Sequence, residues 1–336
     1  MSEYCREDTV KISVEKLQSF INRHQFFILT THDPADADGV GAQMVLACIL
    51  RERGKRFRII NASPLQEHFR FMDPQGLVEQ WDGEKHRALA ETGGMIMIDT
   101  AYLNNIGQMS DPVRRAGEVF VIDHHEITAD SAFAGIRDAT ASSTCEIAVE
   151  LAGAMNVRLD TAASVAAYTG IVFDSGSFSY QKTSLRTFHA ALPLIENGVN
   201  PNKVYQLLCE NASIKALLLQ KKAIASLAIH CKGQVVSQVL RAEDFAETGA
   251  LNDDTDGLVN NPLRVRELVI SLLVKEIEPG KVRCSLRSKH AYDVSKIANA
   301  FGGGGHINAA GFTSKAGVEQ TLAQTLAAIG QLLDTP

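Results

Sequence analysis

Four segments within the first 174 residues end in, or run into, acidic and histidine side chains. Phe26–Thr31 (FFILTT) leads into His32–Asp38 (HDPADAD), and Met95–Ile98 ends on Asp99. Val119–Ile122 ends on Asp123, His124 and His125, and Ile171–Phe173 ends on Asp174. Strand-like runs alternating with helical patterns argue for a parallel sheet covered by helices on both faces. In an open sheet of that kind, ligands bind outside the carboxyl ends of the strands, where the strand order reverses. The pattern concentrates Asp36, Asp38, Asp99, Asp123 and Asp174 with His32, His124 and His125 at one such edge. Like charges held close together resist joint ionisation. Bound divalent cations resolve that conflict.

The elements follow from periodicity. Val14–Arg23 reads as an opening amphipathic helix and Gly39–Arg53 as a helix rich in small and apolar residues. Phe26–Thr31, Phe57–Asn61, Met95–Asp99 and Val119–Asp123 read as strands, and Ser142–Met155 and Asp160–Phe173 as helices. From about Leu185 to Ala228 the pattern is helical, broken at Gly198–Pro201. Beyond it, Gln234–Arg241, Leu268–Glu276 and Lys281–Ser288 read as strands, Asp293–Phe301 as a helix, and Gly317–Leu333 as a closing helix. The expected organisation is an α/β domain over residues 1–190, a helical connector over 191–225, and a smaller α+β domain over 226–336, the two domains facing a cleft.

A length of 336 residues suits two domains. The 33 basic and 39 acidic side chains leave a net charge of −6. Proteins that grip long duplex DNA present a basic surface, so a long polyanion is a poor match and a short one is not. The six cysteines are scattered without a C-x-x-C spacing, which argues against a disulfide framework or a zinc site. The polar N-terminal segment lacks a signal-peptide core, and no apolar stretch is long enough for a membrane span. A soluble cytoplasmic protein is expected.

Each segment alone has an ordinary explanation. An Asp-x-Asp before a glycine-rich helix start is often a turn or an N-cap, and a single strand-end Asp proves little. Together, His32, Asp36 and Asp38 suit a loop that wraps a metal pair, with Gly39 and Gly41 allowing close backbone approach. Mixed oxygen and imidazole donors favour Mn²⁺, with Mg²⁺ or Co²⁺ as alternatives. In the second half, Gly302–Gly305 are four consecutive glycines followed by His306. Exposed backbone N–H groups on such a loop can cradle an anion. His306 adds a directed donor, and Arg287, at a strand end, offers a planar fork for phosphate.

These segments resemble the four motifs of the DHH phosphoesterase superfamily. The stretch Cys284–Lys289, Asp293–Ala298 and Phe301–Phe312 is similar to its DHH-associated C-terminal domain. Within the superfamily the similarity is nearest to the NrnA-type oligoribonuclease and 3′-phosphoadenosine-5′-phosphate phosphatases. The resemblance implies that His32, Asp36 and Asp99 hold one metal ion, and Asp38, Asp99, His124 and Asp174 a second, with Asp99 bridging. It also implies that His125 faces the substrate phosphate and that Asp123 orients the histidines. Arg287, Gly303, Gly304, Gly305 and His306 would bind substrate. The first motif departs from the family, with Pro34 one place earlier than its usual position, but the ligand spacing is kept.

The activity implied is a two-metal phosphohydrolase that degrades very short oligoribonucleotides, about two to five residues long, to 5′-mononucleotides. Removal of the 3′-phosphate from 3′-phosphoadenosine 5′-phosphate would follow from the same geometry. Other readings of the same fold are a cyclic or linear dinucleotide phosphodiesterase, a single-strand exonuclease and an inorganic pyrophosphatase. A sensor that binds nucleotide without turnover is a further alternative. Polarity of attack, the metal used and a homodimeric state are left open.

Overall fold

The structure, a computed structural model, describes residues 3–90, 93–126, 133–255, 257–289 and 292–334. It divides into two compact units, Met1–Asn211 and Ala212–Pro336.

In the first unit, α1 (Glu3–Arg23) leads to β1 (Phe26–Thr31), α2 (Ala37–Glu52), β2 (Arg56–Asn61), β3 (Val78–Gln80) and α3 (Gly83–Ala90). There follow β4 (Gly94–Ile98), α4 (Ser110–Arg115), β5 (Glu118–Asp123), β6 (Ala134–Arg137), α5 (Thr144–Ala154) and α6 (Thr161–Asp174). The six strands form one parallel sheet in the order β3-β2-β1-β4-β5-β6. Strand order therefore reverses between β1 and β4, and the carboxyl ends of those two strands mark the binding crevice of such a sheet.

Alternation along the strands feeds two cores. Phe27, Leu29, Ile96, Ile98, Phe120 and Ile122 face the helices α1, α2, α5 and α6. Ile28, Met95, Met97, Val119 and Val121 face the other side, covered by Ile106, Met109 and Val113. Burial on both faces explains why these strands read as continuous apolar runs. β3 and β6 lacked that signal, because they are short edge strands with half-exposed residues. α1 also begins earlier than Val14, because its first half has no apolar periodicity to mark it.

Helix packing depends on close approaches at glycine, Gly41 of α2 and Gly170 of α6 among them. A Cβ on Gly41 would lie 2.5 Å from the Ala166 carbonyl and 2.6 Å from Cys145 Sγ, so only glycine lets α2 lie against α5 and α6. Two further helices, α7 (Leu185–Glu196) and α8 (Pro201–Cys209), belong to this unit, whereas α9 (Ile214–Ala225) belongs to the second. The helical stretch 191–225 is thus shared between the units.

The second unit adds β7 (Ala228–His230), β8 (Val235–Leu240), α10 (Ala242–Thr248), β9 (Ile270–Glu278) and β10 (Lys281–Ser288). It ends with α11 (Val294–Ala300), β11 (Gly304–His306), β12 (Ala309–Ser314) and α12 (Val318–Asp334). Its sheet runs β11-β12-β10-β9-β8-β7, with only the β8–β9 pair parallel. The glycine run, expected as an open loop, is in part this sheet's edge. Gly304 and Gly305 pair with Gly311 and Ala310, and a Cβ on Gly303 would lie 2.2 Å from the Gly311 carbonyl. Among the described residues no helix is long and apolar enough to cross a membrane.

Arg186 ties the first unit together around α5. Its guanidinium lies 2.7 Å from Glu146, 2.7 Å from Glu150 and 2.6 Å from Asp138. Glu146 is fully buried. Removing the cation would strand a buried charge, which costs about 3–5 kcal/mol. Arg186→Met is therefore expected to lower the unfolding free energy by about 3 kcal/mol in urea titrations. A loss below about 1 kcal/mol would show that the three carboxylates are satisfied without it.

Candidate metal centre

The eight acidic and histidine residues picked out in the first unit meet at the carboxyl ends of β1, β4 and β5. His32 follows β1 directly. Asp36 caps α2, its Oδ1 accepting from the backbone N–H of Asp38 and Gly39, both at 3.0 Å. Asp38 lies in the first turn of α2 and is fully buried. Its carboxylate accepts from the N–H of Thr144 at 2.6 Å and of Cys145 at 2.8 Å, at the start of α5. A helix N-terminus supplies both free N–H groups and a favourable dipole for an anion.

Asp99 stands just past β4 with φ at 59°, in the left-handed region. Aspartate enters that region more readily than most residues, although at a cost, and strained residues gather at functional sites. The turn aims one carboxylate oxygen to each side. Oδ2 lies 3.4 Å from His32 Nε2, and Oδ1 lies 3.5 Å from His124 Nε2. The Thr144 hydroxyl donates to Oδ1 at 2.8 Å.

Two donor groups result, each with its atoms within 4.8 Å of one another: His32, Asp36 and Asp99, and Asp38, His124 and Asp174. Asp99, His124 and His125 form a third, overlapping group. His124 Nδ1 faces the Ala141 carbonyl at 3.4 Å, which leaves Nε2 for the centre. That Nε2 is buried without an aligned hydrogen bond, although oxygens of Asp174, Asp99 and Asp38 surround it at 3.0, 3.5 and 3.9 Å. A ring nitrogen aimed among three carboxylates is placed where, once its proton is given up, a shared cation would fit. Asp123 accepts from His125 through Nδ1 at 2.7 Å and through its backbone N–H at 3.1 Å. It thus holds His125, the more exposed of the two histidines.

The electrostatics agree. Burial pushes Asp38 well above the usual carboxylate range, helped by Asp99 and Asp174 beside it. Burial and Asp99 likewise raise Asp174, against the pull of His124. Burial opposes charge on His32, yet its contacts with Asp36 and Asp99 hold it at about 11. Burial also opposes charge on His124, which its contact with Asp174 and the charges of Asp38 and Asp99 hold at about 10. Asp36 is lowered in spite of its burial, because His32 lies against it.

In the second unit, Arg287 of β10 and His306 of β11 both stand opposite Ala309 of β12, in one cross-strand row. The side chain of His306 lies outside those described. Arg287 Nη1 donates to the Leu286 carbonyl at 3.0 Å. Lys289 donates to the Val265 carbonyl at 2.7 Å. The N–H groups of Gly302 and Gly303 bond back to α11.

Residues 26–171 match the DHH family, N-terminal domain, and residues 232–335 match the DHHA1 domain. The chain is a DHH-family enzyme. It is 25% identical over 287 residues to the bifunctional oligoribonuclease and PAP phosphatase NrnA of Thermus thermophilus, covering 85% of this chain and 83% of that protein. The NrnA of Mycoplasma pneumoniae is 24% identical, with 91% of this chain and 92% of that protein covered. The chain spans only about a third of some longer relatives, including 34% of an A-adding tRNA nucleotidyltransferase of Geobacter sulfurreducens. The crystal structure of an exopolyphosphatase-related protein from Bacteroides fragilis shares the fold, with a TM-score of 0.89 at 22% identity over 96% of this chain and 98% of that one.

Two residues of the DHH centre escaped the sequence reading. Thr144 and Cys145 carry no ligand signature, and they act through backbone N–H groups and one hydroxyl. The signal that could have found them is Ser143-x-x-Glu146, the start of a helix, with Ser143 accepting from the Glu146 N–H.

The raised histidines give a directional test. At neutral pH, with no cation bound, His32 and His124 are protonated, and a cation can take their nitrogens only by displacing those protons. Affinity for Mn²⁺ is therefore expected to rise with pH between 6 and 8, by about tenfold per unit for each ion that displaces one proton. Calorimetry in buffers of different ionisation heat would show the released protons. Affinity independent of pH would mean that the histidines are not ligands.

Proposed function

We propose that this DHH enzyme is a two-metal phosphohydrolase of short oligoribonucleotides that also acts on 3′-phosphoadenosine 5′-phosphate. The observation that carries the reading is Asp99, whose left-handed backbone turns its two oxygens toward two separate imidazole–carboxylate groups. The names of the NrnA relatives support the substrate class, and so does the net charge of −6.

In this reading His32, Asp36 and Asp99 hold one ion, and Asp38, Asp99, His124 and Asp174 the other, with Mn²⁺ the best match to the donors. Paired divalent cations supply Lewis-acid charge for in-line attack on a phosphoryl group. The chain's own groups do the rest. The start of α5 fixes Asp38, Thr144 steadies Asp99, and Asp123 turns the ring of His125 so that its Nε2 can meet a phosphoryl oxygen. In the second unit, Arg287, Gly303, Gly304, Gly305 and His306 are the proposed phosphate contacts, with Arg287 suited to a bidentate bond and the N–H of Gly303 already given to the Ala298 carbonyl.

Asp99→Ala should remove the shared carboxylate and lower turnover of a dinucleotide more than about tenfold, since neither ion would be correctly placed. Activity above that level with unchanged metal content would remove Asp99 from the ligand set. A substrate series in Mn²⁺, from dinucleotide to about two dozen residues at two salt concentrations, tests the substrate class. Efficiency should peak at the short end with a shallow salt dependence, because few phosphates are contacted. Rates that climb with length, together with a steep salt slope, would favour an exonuclease of long strands.

A further inference from the structure

The segment that follows Asp174 is built differently from the rest of the chain. Gly176, Ser177 and Phe178 adopt φ of 56°, 56° and 63°, a left-handed turn in which two of three residues carry side chains. L-residues enter that region at a cost. The turn is nevertheless locked. Ser177 N–H bonds to the Val172 carbonyl at 2.8 Å, and Ser179 and Tyr180 N–H both bond to the Ser175 carbonyl at 2.9 Å. Phe178 N–H bonds to Ser175 Oγ at 2.9 Å, and the Phe178 ring stacks on Phe188 at 5.0 Å and 17°.

This turn presents Tyr180. A Cβ on Gly176 would lie 2.4 Å from the Tyr180 ring, so the ring rests directly on backbone where only glycine fits. The tyrosine is still 60% exposed. Gly176 is two residues from Asp174, so its Cα lies at most about 7.6 Å from that of the aspartate. The segment then comes back to the candidate centre, where Lys182 Nζ donates to the His124 carbonyl at 3.4 Å. That is its one hydrogen bond among the described residues, and an ammonium has three protons to give. An exposed aromatic ring and an ammonium are thus fixed on one rigid loop anchored at two residues of the centre, Asp174 and His124.

We infer that this loop is the nucleoside subsite of the enzyme, with Tyr180 stacking a base and Lys182 contacting an adjacent phosphate. The inference rests on the hydrolase reading above and names the part of the substrate that this unit recognises. The ring provides a stacking face and the ammonium a point charge. Stacking tolerates any base, because every base has a π-face, so the subsite selects nucleotides over inorganic or sugar phosphates without selecting a sequence. The carboxylate-rich centre also gains from a cation that meets the substrate's second phosphate.

The test uses a 5′-phosphorylated dinucleotide of 2-aminopurine and uridine, which carries a second phosphate besides the phosphodiester, made with the fluorescent base on either side of the phosphodiester. Stacking quenches 2-aminopurine, so the fluorescence drop on mixing reports the platform, and later product release reports hydrolysis. For the native protein with Mn²⁺, one of the two isomers should be quenched on binding. Tyr180→Ala should lose the quench and weaken binding at least about fivefold, the low end for loss of one base–aromatic stack. Tyr180→Trp should restore both. Lys182→Ala should keep the quench and lower the salt slope of binding by about 0.7, one single-strand phosphate contact.

Quenching unaffected by Tyr180→Ala, or not restored by Tyr180→Trp while the variant melts like the native protein, would overturn the base assignment. An unchanged salt slope in Lys182→Ala would overturn the phosphate contact. Hydrolysis without any Tyr180-dependent quench would sink the subsite and leave the hydrolase reading intact. A Tyr180-dependent quench without hydrolysis would support the subsite and sink the hydrolase reading.

Discussion

Negative charge that has been buried and has to be neutralised governs the first unit. Asp38 has no exposure, and Asp99 and Asp174 face it across a few ångströms of low-dielectric interior. No arrangement of these carboxylates is comfortable when all are ionised. The fold answers with fixed dipoles and movable protons. The first turn of α5 aims two N–H groups at Asp38, and the raised His32 and His124 supply positive charge among the carboxylates. Sheet order, helix starts and the placement of the histidines all serve that balance.

Much of this was readable in the sequence, because it obeys simple periodicities. Runs such as Met95–Ile98 and Val119–Ile122 are buried on both faces, and their ends fall at the point where strand order reverses. That places His32, Asp99 and Asp123 at one edge. The edge strands β3 and β6 were not readable. Three or four half-exposed residues with polar side chains look the same whether they pair with a neighbour or form a loop. The glycine run misled for a related reason. Absence of Cβ signals backbone freedom, but here it permits β11 to lie against β12, and a sequence cannot distinguish a loop that needs space from a strand that needs contact.

The parts of the centre that stayed hidden share one property. Thr144 and Cys145 contribute backbone N–H groups, which every residue except proline possesses, so residue identity carries no trace of the role. The same holds for the left-handed turn at Gly176–Phe178, whose two non-glycine members give no warning of their conformation. Side-chain chemistry was legible, and backbone chemistry was visible only once the chain had been folded.

The left-handed backbone of Asp99 limits what could ever replace it. Only glycine, asparagine and aspartate are at home there. Glycine would remove the side chain, and the bulkier residues would distort the end of β4. Asparagine alone keeps the shape and hydrogen-bonding reach of the residue while deleting its charge. A single amide in place of a carboxylate would leave the sheet edge, the α5 contact and the histidines in position but, in the two-metal reading proposed above, would no longer neutralise two cations at once. The shortest path from this enzyme to a protein that holds its ligand without transforming it therefore runs through one atom of one side chain.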